Sequence, residues 1–151
     1  AWVGDTVFAR VLSHVPEPFK AFNNFYDILL NGKVESEIKE LSRMKMATIN
    51  NCDYWKSANL AWAKRNNIPQ WKLDQLDNYQ QGDYTQREKA VIRMAELMTL
   101  KSDSVLDEKT QKEMSLHFSE EEIVELGLYF ALVAGLQKFN KVFQIFYACE
   151  T

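Results

Sequence analysis

The sequence predicts an all-α fold, and three observations carry that prediction. Apolar residues recur at spacings of three and four through most of the chain, no segment alternates with period two between hairpin turns, and two S/T-x-x-E capping boxes mark helix starts. With 151 residues, 46% of them hydrophobic, the chain is long enough for one core and too short for two, so one domain over residues 1–151 is expected.

The elements follow in order. Pro16 and Pro18 open a helix whose aromatic and aliphatic face is Phe19, Phe22, Phe25, Tyr26, Leu29 and Leu30. Asn31-Gly32 should close it, since both residues tolerate a left-handed cap. A second helix is expected from about Ser36 to Thr48, with Ile38, Leu41, Met44 and Ala47 or Thr48 on its stripe. Asn50-Asn51 interrupts it, because asparagine side chains compete for backbone hydrogen bonds. A third begins near Cys52 and carries Trp55, Ala58, Asn59 and Trp62, and "NNIPQW" ends it. After a short segment through Leu76 and the polar linker "DNYQQGDY", Thr85 and Glu88 form a capping box ahead of Ala90, Val91, Met94, Ala95 and Met98. "KSDSVLDEKT" reads as a loop into a short helix ending near Leu116. Ser119 and Glu122 then cap the last helix, with Phe118 and Ile123 at the staple positions, and the helix should run to about Phe146. Gly127, Ala131 and Gly135 give it a stripe with almost no side chain; close core packing is the preferred reading and a subunit contact the alternative.

Composition excludes several classes. The net charge of −3 arises from mixed signs without a basic block, which argues against a nucleic-acid partner. The longest apolar run, Leu126 to Leu136, falls far below the roughly 18 to 20 residues a membrane span requires. Two cysteines, Cys52 and Cys149, make no disulfide framework, and with only His14 and His117 for imidazole ligation neither a metal nor another cofactor is expected. No leader pattern is visible, and since the sequence starts at Ala1 a removed leader is compatible with it; cytoplasm is the default compartment.

One stretch carries chemistry. Cys52 falls at the first turn of its helix, where free N–H groups and the helix dipole favour a thiolate. Positions 52, 55 and 59 share a helical face, so Cys52 sits beside Trp55 and Asn59, and Tyr54 adds an aromatic wall suited to a small apolar ligand. The plainer alternative is that these rings fill solid core. Glu40, twelve positions upstream, reaches the same pocket if the two helices fold back on each other; from composition alone it reads as a solvated charge among Glu35, Glu37 and Lys39.

Glu40, Cys52, Trp55 and Asn59 have the spacing of the glutamate, cysteine, cysteine, histidine signature of the alkylhydroperoxidase D-like and carboxymuconolactone decarboxylase superfamily, which the chain resembles. "ESEIKELSRMKMATINNCDYW", "YTQREKAVIRMAELMTL" and "HFSEEEIVELGLYFALVAGLQKFN" are similar to three of its segments in the right order. The likeness runs from about residue 16 to 143, leaving an N-terminal extension of 1–15 and a tail of 147–151. It implies an AhpD-like single-domain helical fold with a central antiparallel helix pair, a homo-oligomer (trimer or hexamer), and in peroxidatic members a two-cysteine cycle reduced by an external thiol partner. Here Trp55 stands for the second cysteine and Asn59 for the histidine. Without the second thiol no local disulfide forms, and an amide takes up no proton near neutral pH.

Three functions follow as expectations. The first is a one-cysteine peroxidase-type oxidoreductase acting on hydroperoxides, with Cys52 as nucleophile, Glu40 as proton acceptor or orienter, an external thiol as reductant, and Cys149 as a remote resolving thiol. Burial and the Glu40 carboxylate oppose the thiolate in this scheme. The second is a non-catalytic oligomeric scaffold or small-ligand-binding protein. The third is a lyase or decarboxylase on a small organic acid, which needs a cationic anchor from Arg43, Lys45 or Lys56.

Overall fold

The computed structural model describes residues 6–51, 63, 68–101 and 106–145, and among them every regular element is helical. These are α1 (Thr6–Leu12), α2 (Pro16–Leu30), α3 (Ser36–Ile49), α4 (Gln70–Asp74), a 3-10 turn (Leu76–Asn78), α5 (Gln86–Leu100), α6 (Glu108–His117) and α7 (Glu120–Val142). The helix expected to start at Cys52 lies outside the described residues, apart from Ala63.

α3 is the axis of the fold. Its residues from Ile38 to Ala47 are all buried, and each flank joins a different apolar cluster. Ile38 and Met46 enter the main core with Val91, Met94, Leu126 and Phe130. Leu41 and Met44 pack with Leu76, Tyr79, Tyr84 and Ile92, while Ala47 meets Phe8 and Ile145. The expected single stripe was too narrow, because α2, α5 and α7 all pack against this one helix or against the cores it enters.

Both capping boxes form. The Thr85 and Ser119 side chains accept from the Glu88 and Glu122 N–H groups, and each glutamate reaches back to the cap N–H at 2.8 Å. Phe118 and Ile123 sit together in the main core as the staple requires. Asp107, expected in a loop, caps α6 by accepting from Thr110 N at 3.0 Å.

In residues 1–15, the expected extension, α1 forms and its Phe8 is fully buried against Phe19 and Phe22. Three expectations change. The linker "DNYQQGDY" is not merely polar, since Tyr79 and Tyr84 are both buried. α7 ends at Val142, short of Phe146, because Gln144 turns left-handed at φ 51° and Ile145 N–H returns to Asn140 O at 2.9 Å. At the end of α2 no left-handed residue is needed. Asn31 caps with φ −98°, and Gly32 is there for space: a Cβ would lie 2.3 Å from a Glu125 carboxylate oxygen. Glu125 closes that turn by accepting from Lys33 N at 2.8 Å and Val34 N at 3.0 Å.

The small-residue stripe of α7 also departs from the close packing preferred above. Among the described residues, a Cβ on Gly127 would touch only the Met94 Cε, at 3.8 Å, and one on Gly135 would meet nothing within 4 Å. Gly135→Ala should therefore raise stability by about 0.5–1 kcal/mol through helix propensity alone. Thermal melting and light scattering check this together: a lower melting temperature with a smaller particle would mean that Gly135 admits another subunit's backbone.

Candidate active site

Because α3 is enclosed, its ionised side chains have to be compensated by protein rather than by water. Lys39, fully buried, donates to Leu29 O at 2.5 Å and pairs with Glu125 at 2.6 Å, tying the end of α2 to α7. Lys45 pairs with Asp77 at 3.2 Å, lies 3.8 Å from Glu96, and sits over the Tyr79 ring.

Glu40 is the centre of the third arrangement and is 1% exposed, so it is not the solvated charge that composition suggested. Arg43 lies one turn on, on the same face. Its Nε donates to both Glu40 oxygens at 3.0 Å, and its Nη2 also donates to Oε2. Tyr26 of α2 donates to Glu40 Oε1 at 3.3 Å, and Tyr129 of α7 donates to the same oxygen. The two hydroxyl oxygens are 3.4 Å apart, with ring centroids at 5.9 Å.

The protonation states follow from position. Burial, then the Glu40 charge, pushes both phenols well above the ordinary tyrosine range, so each keeps its proton. Burial works against the Arg43 guanidinium, but Glu40 and the two phenols outweigh it and the net shift is upward. The pair is thus carboxylate and guanidinium, neutral in sum, and bordered by two O–H donors. Lys45 and Arg43, two of the cations available to anchor a substrate carboxylate, are both already engaged with protein carboxylates.

At the C-terminus of α3 a second polar group gathers. Asn50 caps the helix, and Asn51 takes φ 49°, which directs the chain away immediately before Cys52. The Asn50 side chain donates to Gln137 Oε1 of α7 at 2.5 Å. Gln137 and Asn140, one turn apart, are 2% and 1% exposed. Gln137 Nε2 and both polar atoms of the Asn140 amide have no hydrogen-bond partner among the described residues.

Cys52, Tyr54, Trp55, Asn59, Lys56 and Cys149 lie outside the described residues, so of the expected site the structure places Glu40 and the Asn50-Asn51 turn. Sequence reasoning missed Tyr26 and Tyr129 as polar participants, counting one as an aromatic face and the other as part of an apolar run. The available signal was chemical: a buried tyrosine hydroxyl needs a partner, and Glu40 and Arg43 sit at helical spacing. Gln137 and Asn140, two amides near the C-terminal end of α7, were missed for the same reason. No group of three or more metal-ligating side chains occurs among the described residues.

These features define an all-α protein built around a central helix with a compensated carboxylate, and the fold is that of the AhpD-like proteins. Solved structures place it there. A putative antioxidant defence protein AhpD of unknown function from Agrobacterium tumefaciens superposes with a TM-score of 0.82 at 18% identity, over 93% of this chain and 97% of that one. An uncharacterised peroxidase-related protein from Silicibacter matches at 0.77 and 20% identity, covering 89% and 72%. A debrominase, solved as a cysteine-to-alanine variant with 2,3,4-tribromopyrrole, matches at 0.78 and 22%, covering 88% and 72%. No protein-family model and no curated protein matches the chain. Among the described residues no helix is long and apolar enough to cross a membrane.

Two expectations test the cluster. Glu40→Gln removes the carboxylate that faces a buried guanidinium and should cost about 3–5 kcal/mol, whereas Tyr26→Phe should cost about 0.5–1.5 kcal/mol; urea melts read both. The pH dependence has a definite sign. Above about pH 10 the unfolded chain releases tyrosine protons that Tyr26 and Tyr129 retain when folded, so stability falls as pH rises. Their tyrosinate absorbance should therefore appear only together with the loss of helical circular dichroism.

Proposed function

We propose that this protein is a one-cysteine peroxidase-type oxidoreductase of the AhpD-like fold, acting on hydroperoxides through Cys52. The observation that carries the reading is the set of buried amide groups of Gln137 and Asn140, without partners among the described residues, beside the turn that precedes Cys52 in the chain. Each such group costs about 1–3 kcal/mol when left unsatisfied, so a chain kept only for stability gains nothing from them. As N–H donors and a carbonyl acceptor they suit the oxygens of a hydroperoxide. The peroxidase-related and antioxidant-defence names of the structural neighbours agree with this reading.

The reaction balances as follows. The Cys52 thiolate attacks the terminal peroxide oxygen, the S–O bond forms as the O–O bond breaks, and the sulfur is oxidised by two electrons. The departing alkoxide takes a proton and leaves as the alcohol. An external thiol then attacks the sulfenic acid, water departs, and a second thiol releases Cys52 with formation of the external disulfide. Arg43 changes the electrostatics expected from sequence. With Glu40 compensated by a guanidinium, its charge no longer weighs against a neighbouring thiolate, and its role becomes that of an orienter rather than a free base. The same reading carries a homo-oligomer, trimer or hexamer, and an external thiol as reductant.

A second reading, a non-catalytic oligomeric scaffold, is favoured by one observation: the Glu40 oxygens are engaged by Arg43, Tyr26 and Tyr129, as in a purely structural ion pair. The lyase reading loses support, because Arg43 and Lys45 are already neutralised. Sulfenate trapping with mass spectrometry separates the first two. Cys52 should be trapped in the presence of an organic hydroperoxide, and Asn140→Leu should slow trapping while holding or raising the melting temperature. A Cys52 left unmodified at peroxide levels that oxidise ordinary exposed thiols would leave the scaffold.

A further inference from the structure

The small residues of α7 that fail to pack closely have a second consequence. Between α3, α5 and α7 lies a cavity of about 530 Å³, and it exists because Gly127 and its neighbours Ala131 and Ala134 present so little side chain to it. Its volume falls within the range of about 300–1,000 Å³ typical of small-molecule pockets. Three methionines, Met46, Met94 and Met98, line it together with Phe130. Thioethers and a phenyl ring offer water few hydrogen bonds, so water is held weakly there and an apolar guest is favoured. Methionine adapts its shape and makes favourable sulfur contacts to aromatic rings, which selects for a flat ring over an alkyl chain.

Among the described residues the charged side chains of the lining are Lys101 and Asp107. The Asp107 carboxylate is committed: it accepts from the Thr110 N–H at 3.0 Å and hydroxyl at 3.1 Å, and lies 3.5 Å from Arg93. Lys101 caps α5 through its backbone N–H on Leu97 O, and its side-chain ammonium has no hydrogen-bond or ion-pair partner among the described residues. A mostly apolar lining with one cation that has no ion-pair partner among the described residues matches a molecule that is apolar at one end and anionic at the other.

We propose that this cavity binds a compact aromatic carboxylate, its ring among the methionine thioethers and Phe130 and its carboxylate at Lys101. The proposal rests on these lining residues alone, and holds whether or not Cys52 reacts with peroxide.

The test uses naphthoate as probe, with the full chain labelled at its methionine methyl carbons. There are five methionines. Naphthoate should shift the methyl signals of Met46, Met94 and Met98 saturably and leave those of Met44 and Met114, which do not line the cavity, in place. Lys101→Gln should weaken naphthoate by about two- to fivefold, as befits an exposed charge, and leave the neutral naphthamide unchanged. Gly127→Phe should remove binding of both, and since a Cβ there has room the helix should survive. The methyl shifts of the wild-type protein locate the ligand even if that variant does not fold. The proposal is overturned if naphthoate causes no saturable shift, if the affected methyls are Met44 or Met114, or if decanoate or naphthamide binds the wild type as tightly as naphthoate.

Discussion

The contact between Glu40 and Arg43 is the constraint on which the rest of this structure turns. α3 is covered on every side, so a carboxylate there has no access to bulk water and must be neutralised in place. Arg43 supplies the opposite charge from the same helix, and Tyr26 and Tyr129 bring α2 and α7 to the same oxygen atom. One side chain thereby fixes three helices relative to one another. Lys39 acts similarly on another side, holding the last carbonyls of α2 and the Glu125 carboxylate of α7 at once. Charged groups inside this bundle specify its geometry, because each has a narrow set of partners, whereas the apolar contacts around them tolerate exchange.

The same arrangement bears on chemistry. The Arg43 guanidinium places a positive charge directly against the Glu40 carboxylate, so the cluster is close to neutral in sum. The polar character of the site then moves away from Glu40 and toward the α3 terminus, where amides of Gln137 and Asn140 are buried without partners among the described residues. Compensated charge and buried amides without partners among the described residues thus occupy separate places along the same pair of helices. α7 carries both, with Tyr129 in the compensated cluster and Gln137 and Asn140 two to three turns later.

Much of the architecture is legible in the residues themselves. The capping boxes at Thr85 and Ser119, the prolines at the head of α2 and the break at Asn50-Asn51 all act within four residues, and all form as expected. What is not legible is what lies across from each residue. Gly32 is a glycine because Glu125 comes from ninety residues away to close its turn, and no local pattern announces that approach. Gly127 and Gly135 read as a surface for close packing, whereas they border open volume. α1 was not foreseen at all, since its value lies in Phe8 meeting Phe19, Phe22 and Ala47.

The division has a physical basis. Helix starts, breaks and the all-α class depend on backbone hydrogen bonds and side chains within one or two turns, and those are written consecutively in the chain. Whether Glu40 is a solvated charge or a buried ion depends instead on how many neighbours enclose α3. That enclosure comes from helices distant in sequence. The sequence by itself determined the helical class, the order of its main elements and the presence of a carboxylate ahead of a cysteine turn. Tertiary structure alone decided that the carboxylate is compensated by Arg43 and two phenols, that the amides of α7 are buried, and that its small residues leave a cavity.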